Sequence, residues 1–195
     1  MSDLFDEVGD ATPLESEERE GLLPTWITYR SELNQAEQIN IAAGAAWTRR
    51  ERRQDILTGA FLKKLHEKMF GEVWSWAGDF RRTERNIGTD PVRIPVELRT
   101  ALDDVRYWVE HGTYSPDEIA VRLHHRIVAI HPFPNGNGRV ARLMADLLVG
   151  RFGGEPFSWG RAGLKDAEEA RTRYIEALRA ADTHDIEPLI EFSRL

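Results

Sequence analysis

Residues 115–151 read SPDEIAVRLHHRIVAIHPFPNGNGRVARLMADLLVGR, and this stretch decides the fold. Ser115-Pro116-Asp117-Glu118 has the form of a capping box with proline at the first helical position, so a helix opens there. Ile119, Leu123, Ile127 and Ile130 recur at helical spacing and give it one apolar face. Pro132 stops it, because proline lacks the N–H of a helix interior and restricts the residue before it. A second helix is predicted over residues 137–151, with Val140, Leu143, Leu147 and Leu148 at apolar positions, ending before Gly153-Gly154. The break between the two helices holds His131, Asn135 and Gly136, and Asn137 and Gly138 open the second helix.

The flanking segments are mostly helical as well. Thr12-Pro13-Leu14-Glu15 is another capping box, and Ser16 could cap a helix one turn later; either helix ends near Leu22-Leu23-Pro24. A helix is expected over residues 30–50, with Leu33, Ile39, Ala42, Ala43 and Ala46 as its apolar positions. Thr58 caps the next, which carries Phe61, Leu62, Leu65 and Met69 on one face and closes at Gly71. Further helices are predicted over 96–111, 164–181 and 185–194. Residues 72–95 break this pattern. Asn86, Gly88, Asp90 and Pro91 are turn formers, while Ile87, Val92 and Ile94 are β-prone, which reads as a short β-hairpin or flap. The fold class is therefore all-α, a single helical domain with one small β-hairpin.

Composition excludes several function classes. A globular chain of 195 residues buries roughly 70% of its unfolded surface and needs no staples to fold. Cysteine is absent, which excludes disulfides and thiolate chemistry and suits a reducing cytoplasm. No apolar run approaches the ~18 residues of a membrane span, and the acidic start has no signal-peptide form. Residues 1–24 hold eight acids and one base, Arg19, so this segment carries all of the net charge of −7. The remainder, 25–195, is balanced and shows no basic excess for a nucleic acid. An acidic segment beside a neutral domain is either a solvated tail or a negative plug for a positive site.

The break at 131–136 carries the chemistry. Gly136 and Gly138 flank Asn137 where the next helix begins, leaving backbone N–H groups at a positive helix end, a site suited to phosphate. Arg139 and Arg142 are three residues apart, on one helix face, and could hold the outer phosphates of a nucleotide. His131 stands at the opposite lip, with an ordinary pKa of about 6.5 that suits a general base. Gly136-x-Gly138-x-x-Ala141 formally fits a dinucleotide fingerprint, but a helix rather than a strand precedes it. His66, His111, His124, His125 and His184 lack metal-ligand spacing and read as structural or surface residues.

The 131–142 segment resembles the signature of the Fic (Fic/Doc) family, His-Pro-Phe-x-acid-Gly-Asn-Gly-Arg followed by a second arginine, at eight of nine specified positions. Trp76-Ala77-Gly78-x-x-Arg81 is similar to the family's lead-in to its flap, and the stretch Ile27 to Trp47 resembles the branch called mobile mystery protein B. The resemblance implies a six-helix domain and transfer of AMP from ATP to a Ser, Thr or Tyr hydroxyl of a target protein. It implies His131 as the base, Phe133 as the structural anchor of the loop, and Gly136, Asn137, Gly138, Arg139 and Arg142 as the ATP-binding set. Residues Arg85, Asn86, Ile87, Gly88, Val92 and Ile94 would form a flap that holds the target as an added strand. One position departs: Asn135 stands where the family has the Asp or Glu that binds Mg²⁺, and an amide oxygen is a weaker ligand for a hard dication.

The family's inhibitory helix carries Ser or Thr, three residues, Glu, then Gly or Asn, and Ser16, Glu20 and Gly21 fit it. By resemblance Glu20 would pair with Arg142 and displace the γ-phosphate. The expected organisation is an acidic segment with an inhibitory helix over 1–24 and a Fic domain over 25–195. The expected function is an auto-inhibited adenylyltransferase using ATP and Mg²⁺, with a protein target, no nucleic acid or membrane partner, and homo-oligomerisation left open. A Fic-fold phosphotransferase, a de-AMPylating hydrolase and a non-catalytic nucleotide-binding regulator remain alternatives.

Overall fold

Side-chain caps start three of the helices, two of them at the Thr58 and Ser115 that the sequence points to. The computed structural model describes residues 14, 19–51, 54–161 and 166–195. Its helices are α1 (Arg30–Thr48), α2 (Gly59–Phe70), α3 (Ile94–His111), α4 (Pro116–Ile130), α5 (Asn137–Arg151), α6 (Ala167–Asp182) and α7 (Glu187–Arg194). The Thr58 hydroxyl accepts the Phe61 N–H at 3.1 Å, Ser115 that of Glu118 at 3.3 Å, and Asp166 that of Glu168 at 2.9 Å. Each such cap is worth about 1 kcal/mol. None of the helices is long and apolar enough to cross a membrane.

The core forms around α4, whose Ile119, Leu123 and Ile127 are buried against α3 and α5. α1 packs on α2, and α6 on α7. This arrangement brings the C-terminus of α4 and the N-terminus of α5 to one break in the chain, with α1 and α2 beside it.

The buried face of α1 is not the expected one. Ile39 is 66% exposed, and Ala42, Ala43 and Ala46 are exposed too. Leu33 is buried as expected, but it shares the buried stripe with Glu37, Asn40, Ile41, Gly44 and Thr48. The physical reason is that this stripe meets polar groups. Asn40 donates to the Lys68 carbonyl at 3.2 Å and accepts the Glu72 N–H at 3.0 Å, completing the end of α2. Gly44 lets the two helices close, because a Cβ there would stand 2.7 Å from Met69 Cγ.

The expected β-hairpin is absent: no strand forms between residues 79 and 93, all of them described. The Asp90 carboxylate accepts the Val92 N–H at 2.9 Å and starts a short 3-10 turn, Pro91–Arg93, that runs into α3. Cap and proline together override the β preference of Val92 and Ile94. Ile94 is fully buried as the first residue of α3, so it belongs to the core and not to a docking flap.

Most of the expected N-terminal helix lies outside the described residues, including Ser16. Leu14 is buried and donates its N–H to the Thr28 carbonyl at 2.9 Å. Residues 19–22 form a turn closed by the Leu22 N–H on the Arg19 carbonyl at 3.0 Å, and Leu22 pairs with Trp74 as an isolated bridge.

Candidate active site

The loop between α4 and α5 is held from inside. His131 caps α4 in the left-handed region, φ 52 and ψ 59, with its N–H on the Ile127 carbonyl at 3.0 Å. A non-glycine residue there stores strain, which the surroundings must enforce. Asn137 closes the loop: its Oδ1 accepts the Phe133 N–H and its Nδ2 donates to the Phe133 carbonyl, both at 2.8 Å. Phe133 is fully buried and stacks on His66 with ring centroids 3.8 Å apart.

His66 supports the loop from α2. Its Nδ1 accepts the Gly78 N–H at 3.0 Å, so Nε2 carries the proton and donates to the Asn135 carbonyl at 3.0 Å. Accepting the Gly78 N–H at Nδ1 needs the neutral ring, and burial pushes its pKa down to about 4. His66 is thus a structural residue, as its spacing implied.

The two glycines differ in purpose. Gly136 has φ +76, and a Cβ there would stand 2.6 Å from Phe70 Cζ. Its N–H is taken by the Asn135 Oδ1 at 2.7 Å. The room expected for a phosphate at Gly136 is therefore filled by Phe70, and its N–H is already spent. Gly138 is helical, and among the described residues a Cβ there would meet only Arg142 Nη1 and the Tyr174 hydroxyl, each at 3.7 Å. The first α5 bond runs from the Val140 N–H to the Gly136 carbonyl at 3.0 Å. The N–H groups of Asn137, Gly138 and Arg139 therefore find no acceptor within the helix and lie at its positive end. Asn137 offers a ligand its backbone only, since its side chain is locked on Phe133.

Both arginines are buried into the structure. Arg139 Nη1 pairs with Glu37 of α1 at 2.5 Å, and its guanidinium lies 4.8 Å over the Phe70 ring. Trp74 donates to the other Glu37 oxygen at 2.6 Å. Arg142 lies 5.9 Å from the Tyr174 ring centroid. The Tyr174 hydroxyl bonds His124 Nε2 at 3.0 Å. Burial, with Arg142 nearby, holds the His124 pKa well below its ordinary value. One turn beyond Arg142, burial raises the Asp146 carboxyl to about 6.

His131 is half-buried. Burial, and then the charge of Arg81, lowers its pKa from the usual 6.5, so the ring is neutral at pH 7. Its Nδ1 is buried and makes no hydrogen bond of good geometry, although the Val128 carbonyl works against the shift. A neutral imidazole at the loop that leads into the positive end of α5 can take a proton next to bound phosphate.

The remaining expected residues fall in two groups. Arg85, Asn86, Ile87, Gly88 and Val92 are exposed on the segment that passes over His131, and a Cβ on Gly88 would come within 2.7 Å of His131 Cβ. Glu20 is also exposed, and among the described residues no ion pair or hydrogen bond joins it to the buried Arg142. Gly21, at φ +85, is pressed against Trp76, which fixes the turn with Glu20 outside. Asn135, the expected metal ligand, is exposed, neutral, and uses its side-chain oxygen on Gly136. Among the described residues no three His, Cys, Asp or Glu side chains gather as a metal site. The side chains present do not fit a resident Mg²⁺.

Sequence reasoning missed Glu37, Tyr174 and the contacts of Arg81. An acid on the face of α1 that packs on α2 is the available signal for Glu37, but the apolar periodicity of α1 points to another face. Tyr174 and Arg81 act across the fold and leave no local pattern.

Comparison with known proteins matches the fold. The Fic/DOC family model covers residues 56–149. A protein adenylyltransferase Fic of Drosophila grimshawi is 29% identical over 135 residues, which is 67% of this chain and 26% of that protein. The chain thus spans about a quarter of the length of this curated relative. A Bartonella quintana Fic domain with bound ADP superposes with a TM-score of 0.67 at 19% identity, covering 87% of this chain and 86% of that one. The BepC protein of Bartonella tribocorum with bound AMPPNP gives 0.64 at 19% identity, covering 92% and 97%. At this identity the two structures establish a shared fold.

Proposed function

Residues 56–149 of the chain are a Fic/DOC family domain, and on that premise we propose that it transfers AMP from ATP to a Ser, Thr or Tyr hydroxyl of a target protein. The observation that supports this most is the face of Gly138, bounded among the described residues by Arg142 and the Tyr174 hydroxyl at 3.7 Å, beside the first N–H groups of α5, which have no acceptor within the helix. A triphosphate placed there meets backbone donors and a guanidinium at a positive helix end. The nucleotides bound in the two Bartonella structures agree in class.

In this reading neutral His131 takes the proton of the target hydroxyl. The hydroxyl oxygen forms a bond to the α-phosphorus, and the bond to the bridging oxygen of the β-phosphate breaks, releasing pyrophosphate. The N–H groups of Asn137, Gly138 and Arg139 and the Arg142 guanidinium hold the charge that develops. Arg139 serves while held by Glu37. Mg²⁺ belongs here to the nucleotide substrate, and no step is derived through it. The exposed segment around Ile87 and Val92 would receive the target backbone. The acidic residues 1–24 are assigned an inhibitory role as a segment, on their charge, ahead of a domain over 25–195.

A second reading, a phosphotransferase, a de-AMPylating hydrolase or a nucleotide-binding regulator without turnover, is favoured only by Asn135, which removes the metal carboxylate. ATP labelled on the α- or the γ-phosphate separates these readings in a lysate. Protein labelled from the α-position alone supports AMP transfer. Label from the γ-position, or binding without label, overturns it.

A further inference from the structure

Arg81 is 3% exposed, and among the described residues no carboxylate pairs with it. A buried cation is costly unless its donors are met. Carbonyl oxygens meet them. Nε donates to His131 at 2.7 Å, Nη1 to Thr83 at 3.0 Å, and Nη2 to Thr89 and, at 3.4 Å, to Ile130. The Arg81 N–H donates to the Pro132 carbonyl at 2.9 Å, and the Thr89 N–H to that of Ile130 at 3.2 Å. Ile130 and His131 end α4, where orphan carbonyls and the negative helix pole favour a cation. Only a planar guanidinium presents donors in so many fixed directions.

One guanidinium therefore grips two segments. The carbonyls of Ile130 and His131 belong to the loop that carries the base, and those of Thr83 and Thr89 to the exposed flap. Gly88 completes the joint: a Cβ there would stand 2.7 Å from both Arg81 Nη2 and His131 Cβ. The left-handed backbone of His131 is thus enforced through its own carbonyl.

We propose that Arg81 is a positioning residue that couples the flap to His131, so that the surface receiving the target and the orientation of the base move as one unit. This rests on the reading of His131 as the base. The charges acting on the ring are Arg81 and Arg85, both on the segment after α2. Arg81 both aims the imidazole and disfavours its charged form.

Two variants separate aim from charge. Arg81→Lys keeps the charge but cannot span all four carbonyls. Transfer kcat should fall roughly 10–100-fold, as for a misplaced reacting group. KM for ATP should change by less than about threefold, because the loss is confined to the chemical step. Arg81→Gln removes the charge, and the His131 ring, followed by NMR in the nucleotide-free protein, should titrate at higher pH than in wild type. That titration needs no turnover, so it tests the coupling even where the AMP-transfer reading fails. Wild-type kcat in Arg81→Lys, or an unmoved His131 titration in Arg81→Gln, overturns the proposal. Should both variants fail to fold, Gly88→Ala decides. Its methyl strikes the joint at the surface, so His131 ring shifts should move and kcat should fall with the ATP Kd unchanged. Unmoved shifts would overturn the coupling.

Discussion

Alanine at each of the two glycines should give opposite outcomes. Gly138 is helical, and among the described residues a methyl there meets nothing nearer than 3.7 Å. Replacing glycine by alanine inside a helix favours folding by up to about 1 kcal/mol. The methyl nevertheless enters the space between Arg142 and the Tyr174 hydroxyl, where a phosphate is proposed to lie. Displacing an anion from charged donors worth about 1.5–3 kcal/mol weakens binding roughly 10- to 100-fold. At Gly136 the reverse holds. The left-handed backbone costs a non-glycine residue roughly 1–2 kcal/mol. A Cβ would also stand 2.6 Å from Phe70 Cζ and 2.7 Å from Cε2. Overpacking of that kind adds about 1–3 kcal/mol. Gly136→Ala should therefore lose about 2–5 kcal/mol of stability. Urea unfolding and calorimetric ATP titration read the two quantities separately. Gly138→Ala with an unchanged ATP Kd would refute the placement of the phosphate, and Gly136→Ala with wild-type stability would refute the account of the loop.

Three further outcomes follow from single side chains. His66 resists protonation down to about pH 4, whereas the unfolded chain takes the proton near 6.5. Its contribution is full above pH 6.5 and is lost as pH falls towards 4, by about 3 kcal/mol. Asp146, raised to about 6, works the other way, so the comparison is of urea midpoints in wild type and His66→Gln, whose stability should fall less between pH 7 and 4.5. Asn135→Asp puts a charged oxygen at the position facing the nucleotide, and Mg²⁺ titrated with ATP present should bind more tightly; equal affinity would place residue 135 away from the metal. Glu20→Gly should leave ATP affinity unchanged, because Glu20 is exposed and unpaired with Arg142, whereas removing residues 1–18 should raise transfer if the segment inhibits.

The helices were legible because their signals are local. The Thr58 and Ser115 caps and the apolar faces of α2 and α4 each lie within a few residues of the backbone they govern. The break at His131–Asn137 was legible for the same reason. Contacts that join distant segments were not. Glu37 and Arg139 are 102 residues apart, and Arg81 and His131 are 50 apart. The apolar periodicity of α1 pointed to Ile39, yet its buried stripe carries Glu37 and Asn40 because α2 and Arg139 offer polar partners there. At residues 85–94 β-prone side chains suggested a hairpin, but Asp90 and Pro91 turn the chain into α3, and Arg81 supplies the bonds that a second strand would have made. Gly136 and Gly138 look alike in sequence; the left-handed backbone of Gly136 and the ring of Phe70 against it distinguish them.

The central claim is that neutral His131 is the base beside a nucleotide held at the start of α5. The most direct measurement is the rate of α-label transfer from ATP by wild type and by His131→Ala, with the ATP Kd of both determined in parallel. The account predicts a rate loss of about 10²- to 10⁴-fold with nearly unchanged ATP affinity. Transfer by His131→Ala at the wild-type rate would contradict it.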